Sequence, residues 1–172
     1  QSIDSITIDI KDRMIVGKGK AQLTGYDGLD YFYRSENMSK DERQEYFKAY
    51  FSKGNNKTNF EDIVMYPVNR GPVNFSYRFN IPDYISQDQD ELYLNLNLDK
   101  KLILEKIIVG RKVPVSMRHK TKKRLIVTLN IPEGYKVKDV PASVRQQNAL
   151  EGFSSTYEIK NDQLIHIFDL YI

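Results

Sequence analysis

The chain has 172 residues, 40% apolar and 28% charged, with 26 basic against 23 acidic side chains. That length suits one domain with a real core or two small ones, and the near balance of charge argues against a polyanionic partner. No cysteine is present, which excludes disulfides, a thiol nucleophile and a thiolate metal site; no window reaches the ~18 unbroken apolar residues of a membrane helix, so no membrane insertion is expected.

Ser2 to Ile10 sets Ile6, Ile8 and Ile10 against Ser5, Thr7 and Asp9, the pattern of a strand with one wet side. No basic segment followed by an apolar run opens the chain, so no signal peptide is expected within it. After the polar turn Lys11-Asp12-Arg13, Met14 to Thr24 predicts a second strand antiparallel to the first. Gly17 and Gly19 inside it mark a bulge or a close backbone approach. Gly25-Tyr26-Asp27-Gly28 reads as a turn and Leu29 to Arg34 as a third strand.

Ser39 to Lys53 is the one convincing helix. Ser39 and Glu42 have the spacing of a capping box, each serving the other's free backbone amide. Tyr46, Phe47, Tyr50 and Phe51 make an aromatic face at helical spacing, and Gly54 stands where a left-handed residue closes a helix. The helix is expected to lie on a sheet through Phe47 and Phe51.

Phe60 to Val68 reads as extended, followed by a turn at Asn69-Arg70-Gly71-Pro72. The clearest strand comes next, with Val73, Phe75, Tyr77 and Phe79 inward. Ile81-Pro82-Asp83-Tyr84 breaks it, Ser86 to Asp90 reads as a polar loop, and Leu92, Leu94, Leu96 and Leu98 alternate as a strand. Lys100 to Val109 shows neither period, so strand, short helix and loop all stay open there. Val113 to Met117 reads as extended.

Leu125, Val127, Leu129 and Ile131 alternate with Thr128 and Asn130 as a half-buried strand, stopped by Pro132-Glu133-Gly134. A second extended run, Tyr135 to Val140, ends at Pro141. Ser143 to Glu151 reads as a loop or a sheet edge. Phe153 to Ile159 and Gln163 to Ile172 form a hairpin about Lys160-Asn161-Asp162. The expected fold is mainly β: an antiparallel β-sandwich, immunoglobulin-like or related, with one amphipathic helix packed on a sheet. One β-rich domain over 1–172 is expected. A seam around Gly110 to Pro114 offers a subdivision into a helix-bearing portion, 1–110, and a small all-β portion, 111–172.

Chemistry-bearing groups are sparse. The two histidines, His119 and His166, lie far apart with no converging carboxylate or hydroxyl evident, and read as structural or surface residues. The carboxylates of 86–91 (SQDQDE) lack the glycine and distant glutamate of a calcium loop and read as solvated. Arg118, Lys120, Lys122, Lys123 and Arg124 form a basic run without interleaved aromatics, so a solubilising hairpin tip or guarded edge is expected rather than a nucleic-acid site. Tyr26, Tyr31, Tyr33, Tyr66, Tyr84 and Tyr93 suit a carbohydrate or peptide surface, but half-buried sheet positions explain them more simply. Asn37, Asn56 and Asn74 open Asn-x-Ser/Thr sequons. No catalytic, cofactor-binding or metal-ligating residue is assigned, and no cofactor is expected.

Five segments together carry a resemblance. They are Ala21-Gln22-Leu23-Thr24-Gly25, Ser39-Lys40-Asp41-Glu42-Arg43, Arg111-Lys112-Val113-Pro114, the run from Leu129 to Val137 with Val140-Pro141, and the final hairpin, Tyr157 to Ile172. In their order the chain resembles the C-terminal, non-catalytic domain of unknown function of bacterial transglutaminase-like (putative protease) multidomain proteins. The resemblance implies a secreted or periplasmic protein whose catalytic Cys-His-Asp set lies in a preceding papain-like domain flanked by β-rich domains. With no cysteine here, no catalytic residue carries over. The expected role is therefore an accessory module that packs on or positions the catalytic domain, with the N-terminal β domains of the same polypeptide as further partners. A stand-alone glycan- or peptide-binding module is the alternative. An enzyme in its own right is least expected, because no nucleophile elbow or phosphate-cradling loop is present.

Overall fold

The computed structural model of the chain describes residues 1–52, 55–66, 71–99 and 119–172. In chain order these form β1 (Ser2–Lys11), β2 (Met14–Leu23), α1 (Tyr26–Ser35), α2 (Lys40–Phe51), β3 (Asn59–Tyr66), β4 (Val73–Ile81), β5 (Ser86–Asp88), β6 (Glu91–Tyr93), β7 (Lys122–Asn130), β8 (Val144–Gln147), β9 (Gly152–Lys160) and β10 (Gln163–Tyr171). The fold is mainly β and sandwich-like, as the alternating runs predict. Its principal sheet has the order β3-β4-β2-β1-β7-β10-β9-β8, and β5 with β6 makes a separate small hairpin. That sheet is mixed: β1 and β7 run parallel through seven registered pairs, Ser2 with Lys123 through Ile8 with Leu129, whereas every other pairing is antiparallel. Strands from the first half of the chain thus occupy one side of this parallel seam and strands from the second half the other.

One face of the sheet carries the core. Ile6 and Ile8 of β1, Ile15 and Leu23 of β2, the four inward residues Val73, Phe75, Tyr77 and Phe79 of β4, Leu125, Val127 and Leu129 of β7, and Leu164 and Phe168 of β10 are all buried there. The registers align these positions across the strands, so alternation within each strand becomes one continuous apolar surface. Gly17 and Gly19 lie opposite Phe79 and Tyr77 in an unbroken ladder. They mark the close approach of two rings rather than a bulge, since a Cβ at Gly19 would stand 2.2 Å from Cζ of Tyr77. The bulge falls instead on the edge strand β3, between Glu61 and Val64, where Asp62 takes φ 48° and ion-pairs with Arg78. The opposite edge, β8, is four exposed residues. Both are devices that discourage further strand pairing.

α2 covers this face as expected. The Glu42 amide donates to Ser39 Oγ at 3.3 Å and the Ser39 amide to the Glu42 carboxylate at 2.8 Å, completing the capping box. Phe47 and Phe51 are buried against Phe75 and Tyr77. Gly54 lies outside the described residues, as do Asn69, Arg70, Arg118, the runs Lys100–Val109 and Val113–Met117, and the seam at Gly110 to Pro114 with its Arg111-Lys112-Val113-Pro114 motif.

Local structure departs from these expectations at several segments. Leu29 to Arg34 is not a strand but most of a second helix, α1, entered through Gly25 at φ 59°, ψ −136°, a conformation open chiefly to glycine. Its aromatic residues favour strand by propensity, but packing of Tyr31 against Tyr46, Tyr50 and Phe75 overrides that preference. Arg34 adds a two-pronged contact to Asp30 one turn earlier, at 2.9 and 3.0 Å. The supposed polar loop Ser86 to Asp90 and the start of the leucine run are β5 and β6, joined through Gln89 at φ 50°. Beyond Tyr93 the leucine run leaves the strand, yet Leu96 and Leu98 are buried all the same. Tyr135 to Val140 forms no strand either; Val137 and Val140 pack on the core from irregular chain. Lys122 to Arg124 are not a hairpin tip but the first residues of β7, where Arg124 grips Asp169 of β10 at 2.6 and 2.9 Å. The turns at Gly134 (φ 82°) and at Asn161-Asp162 (φ 47° and 56°) stand where the sequence puts them.

Candidate functional site

Three places gather groups able to do chemistry or bind. The first is on the β9–β10 hairpin. Its two-residue turn, both residues at positive φ, sets Tyr157 opposite His166 and brings Ser155, two residues earlier on the same face, beside the imidazole. Ser155 Oγ and His166 Nε2 are 3.0 Å apart, and the Tyr157 ring stacks on the imidazole at 4.5 Å and 15°. A serine within hydrogen-bond reach of a histidine is the first half of a nucleophile–base pair.

The second half is missing among the described residues. His166 Nδ1 is buried without a well-formed hydrogen bond, and no carboxylate among the described residues orients the ring. At 1% exposure the imidazole offers no face to a substrate. Burial holds its pKa below the ordinary histidine value of 6.5, because low polarity disfavours the imidazolium.

The unfolded chain takes up this proton near pH 6.5 and the folded chain only at lower pH, so the contribution of neutral His166 is fully present above that value and is lost as pH falls through the interval below it. Urea unfolding between pH 7 and 5 should show stability declining with acid, at up to about 1.4 kcal/mol per pH unit from this group. His166→Gln should flatten that decline. An unchanged slope in the variant would refute the assignment.

The second place is a buried polar contact that the sequence reading missed. Asp4 shares the side of β1 that carries Ile6 and Ile8, and the Tyr77 hydroxyl donates to both its carboxylate oxygens at 2.9 Å. Burial and the neighbouring carboxylate raise the Tyr77 pKa well above 10. The signal in the sequence was an acidic residue in phase with an apolar face. Above it, Tyr31 is pushed up to about 12 by burial beside Tyr46, and burial also raises Tyr50. These hydroxyls are held protonated, a structural arrangement.

The third place is surface. The candidate tyrosines do not share one face: Tyr31 is buried, Tyr84 is partly buried and donates to the Asn95 carbonyl at 2.9 Å, Tyr66 sits on β3, and Tyr93 reaches the Glu91 carboxylate. Tyr26 and Tyr33 instead join Leu29 and Phe32 on the outside of α1, all between 47% and 67% exposed. His119 stacks on Tyr26 at 4.7 Å, so the two histidines have separate surroundings. Of the three sequon asparagines, Asn37 and Asn56 lie exposed beside α2, whereas Asn74 is in β4 and donates to the Pro72 carbonyl. The acidic residues of 86–91 occupy the β5–β6 hairpin, where Glu91 is held by Lys138 and Tyr93 and its pKa is lowered, chiefly by Lys138. Among the described residues no group of three or more acidic or histidine side chains converges on a metal position.

Residues 90–172 match a family described as Domain of Unknown Function with solved-structure structure (DUF3858). The matched residues are a little under half of the chain and supply β7 to β10, the sheet on one side of the parallel seam. No curated protein matches the chain.

Proposed function

We propose that the chain is a non-catalytic accessory β domain of a secreted or periplasmic transglutaminase-like protein, and that it packs against a catalytic domain of the same polypeptide. The observation that carries the reading is the outer face of α1. Tyr26, Leu29 and Tyr33 recur at three and four residues with Phe32 beside them, forming an aromatic stripe turned away from the core that Tyr31 enters. Contiguous exposed apolar surface of this kind marks contact surfaces more often than free solvent faces. The absence of cysteine, the poverty of the Ser155–His166 pair, the matched family of unknown function and the resemblance in sequence motifs all support the same reading.

The test begins with the open reading frame. A cysteine-bearing domain upstream of this chain is expected, and its absence would overturn the proposal. In the full polypeptide, amides of α1 should exchange with deuterium at least about tenfold more slowly than in the isolated 172 residues, the signature of a covered helix. Leu29→Ser with Phe32→Ser should abolish that protection while leaving the isolated chain folded. Equal exchange in both contexts would place the contact elsewhere. The isolated chain should not turn over peptide or acyl-donor substrates.

A further inference from the structure

On the face of the sheet opposite the core, β1, β2, β4 and β3 border a shallow depression of about 370 Å³. The size falls at the low end of small-ligand sites, ~300–1,000 Å³. Six polar side chains converge there: Ser5, Lys20, Gln22, Tyr66, Asn74 and Ser76. They come from the first four strands, β1 to β4, which the sheet sets in the order β3-β4-β2-β1 and whose residues here span more than seventy positions, so no local motif announces them. We infer that this depression binds a saccharide bearing a carboxylate, such as a hexuronate-containing oligosaccharide.

The chemistry is specific on three counts. Lys20 is exposed and takes part in none of the described ion pairs, and none of the described residues lining the depression is a carboxylate, so its ammonium can meet an anionic group. Lys18, next on the same side of β2, is also exposed and in none of the described ion pairs, and it adds to the positive potential. The amides are already ordered: Gln22 Nε2 donates to Asn74 Oδ1 at 3.0 Å and Asn74 Nδ2 to the Pro72 carbonyl at 3.2 Å, which leaves the Gln22 carbonyl oxygen to accept. The Tyr66 and Ser76 hydroxyls lie 3.2 Å apart and can each donate or accept, as can Ser5. Donors and acceptors in one close array suit the hydroxyl groups of a sugar. Tyr66 and Ile3 supply apolar surface for the carbon face of a ring.

The depression and the aromatic stripe of α1 lie on opposite sides of the sheet, so this site stands or falls independently of the accessory role. Trigalacturonate, maltotriose and an acidic tetrapeptide are titrated separately into the ¹⁵N-labelled chain. Trigalacturonate should produce saturable millimolar shifts at the amides of Lys20, Gln22 and Ser76, weakening as salt is added. Lys20→Gln should weaken binding about tenfold, the loss of one charge-assisted hydrogen bond, and Tyr66→Ala should weaken it without unfolding the chain. Absence of saturable shifts, equal binding of maltotriose, binding of the peptide alone, or full affinity in Lys20→Gln would each overturn the inference.

Discussion

Phe47→Ala is expected to lower the unfolding free energy by about 3–5 kcal/mol, the cost of removing a fully buried ring whose site can only partly collapse. The ring is 1% exposed and meets four others: Phe51 at 4.3 Å, Phe75 at 5.4 Å, and Phe60 and Tyr77 each at 5.7 Å. Together with Phe51 it holds α2 on β4, and it also meets Phe60 of β3, so its loss opens a void that no single neighbour can fill. For a chain this long the melting temperature should fall by about 2–4 °C per kcal/mol. Lys48→Ala is the control on the same helix. Its ion pair with Glu45 is exposed, and such pairs contribute between about 0 and 1 kcal/mol. Equal melting temperatures for the two variants would show that the helix does not rest on the sheet through Phe47.

Gly19→Ala should destabilise by about 1–3 kcal/mol, the usual cost of overpacking a filled core. In a permissive strand the same change would be neutral or favourable, because alanine costs less chain entropy than glycine. Here the new methyl would lie 2.2 Å from Cζ and 2.5 Å from the hydroxyl of Tyr77. That ring cannot swing aside cheaply, since its hydroxyl is bonded to both oxygens of buried Asp4. A double-mutant cycle isolates the clash: in a Tyr77→Leu background the same alanine should cost close to nothing, so the two changes are strongly non-additive. Additive losses would mean that the glycine serves the strand for another reason.

Both expectations rest on features the sequence carries in part. The aromatic positions of α2 and the inward residues of β4 are readable directly, because which side of a helix or strand a residue faces is a local property of its spacing. That Gly19 exists to admit the ring of Tyr77 is not readable, since the two residues meet only through the pairing of β2 with β4, across more than fifty residues of chain. The candidate groups divide along the same line. The Ser155–His166 contact lay within reach of sequence reasoning: a two-residue turn at Asn161-Asp162 fixes the hairpin register and hence which residues of β9 face His166. Asp4 could have been flagged by its phase with Ile6 and Ile8. The depression around Lys20 could not, because it needs β1, β2, β3 and β4 side by side.

The sequence by itself determined that this protein is mainly β, where most of its strands lie, how α2 begins and which of its rings face inward, and that no thiol chemistry is available to it. Those are matters of periodicity, capping and composition, each settled within a few residues. Only the tertiary structure decided that Leu29 to Arg34 coils into a helix, that β1 and β7 meet in parallel, and that Lys122 to Arg124 enter the middle of a sheet. In each case the deciding contacts — Tyr31 on Phe75, the pairs from Ser2 with Lys123 onward, Arg124 on Asp169 — join residues more than forty positions apart, and their packing outweighs local preference.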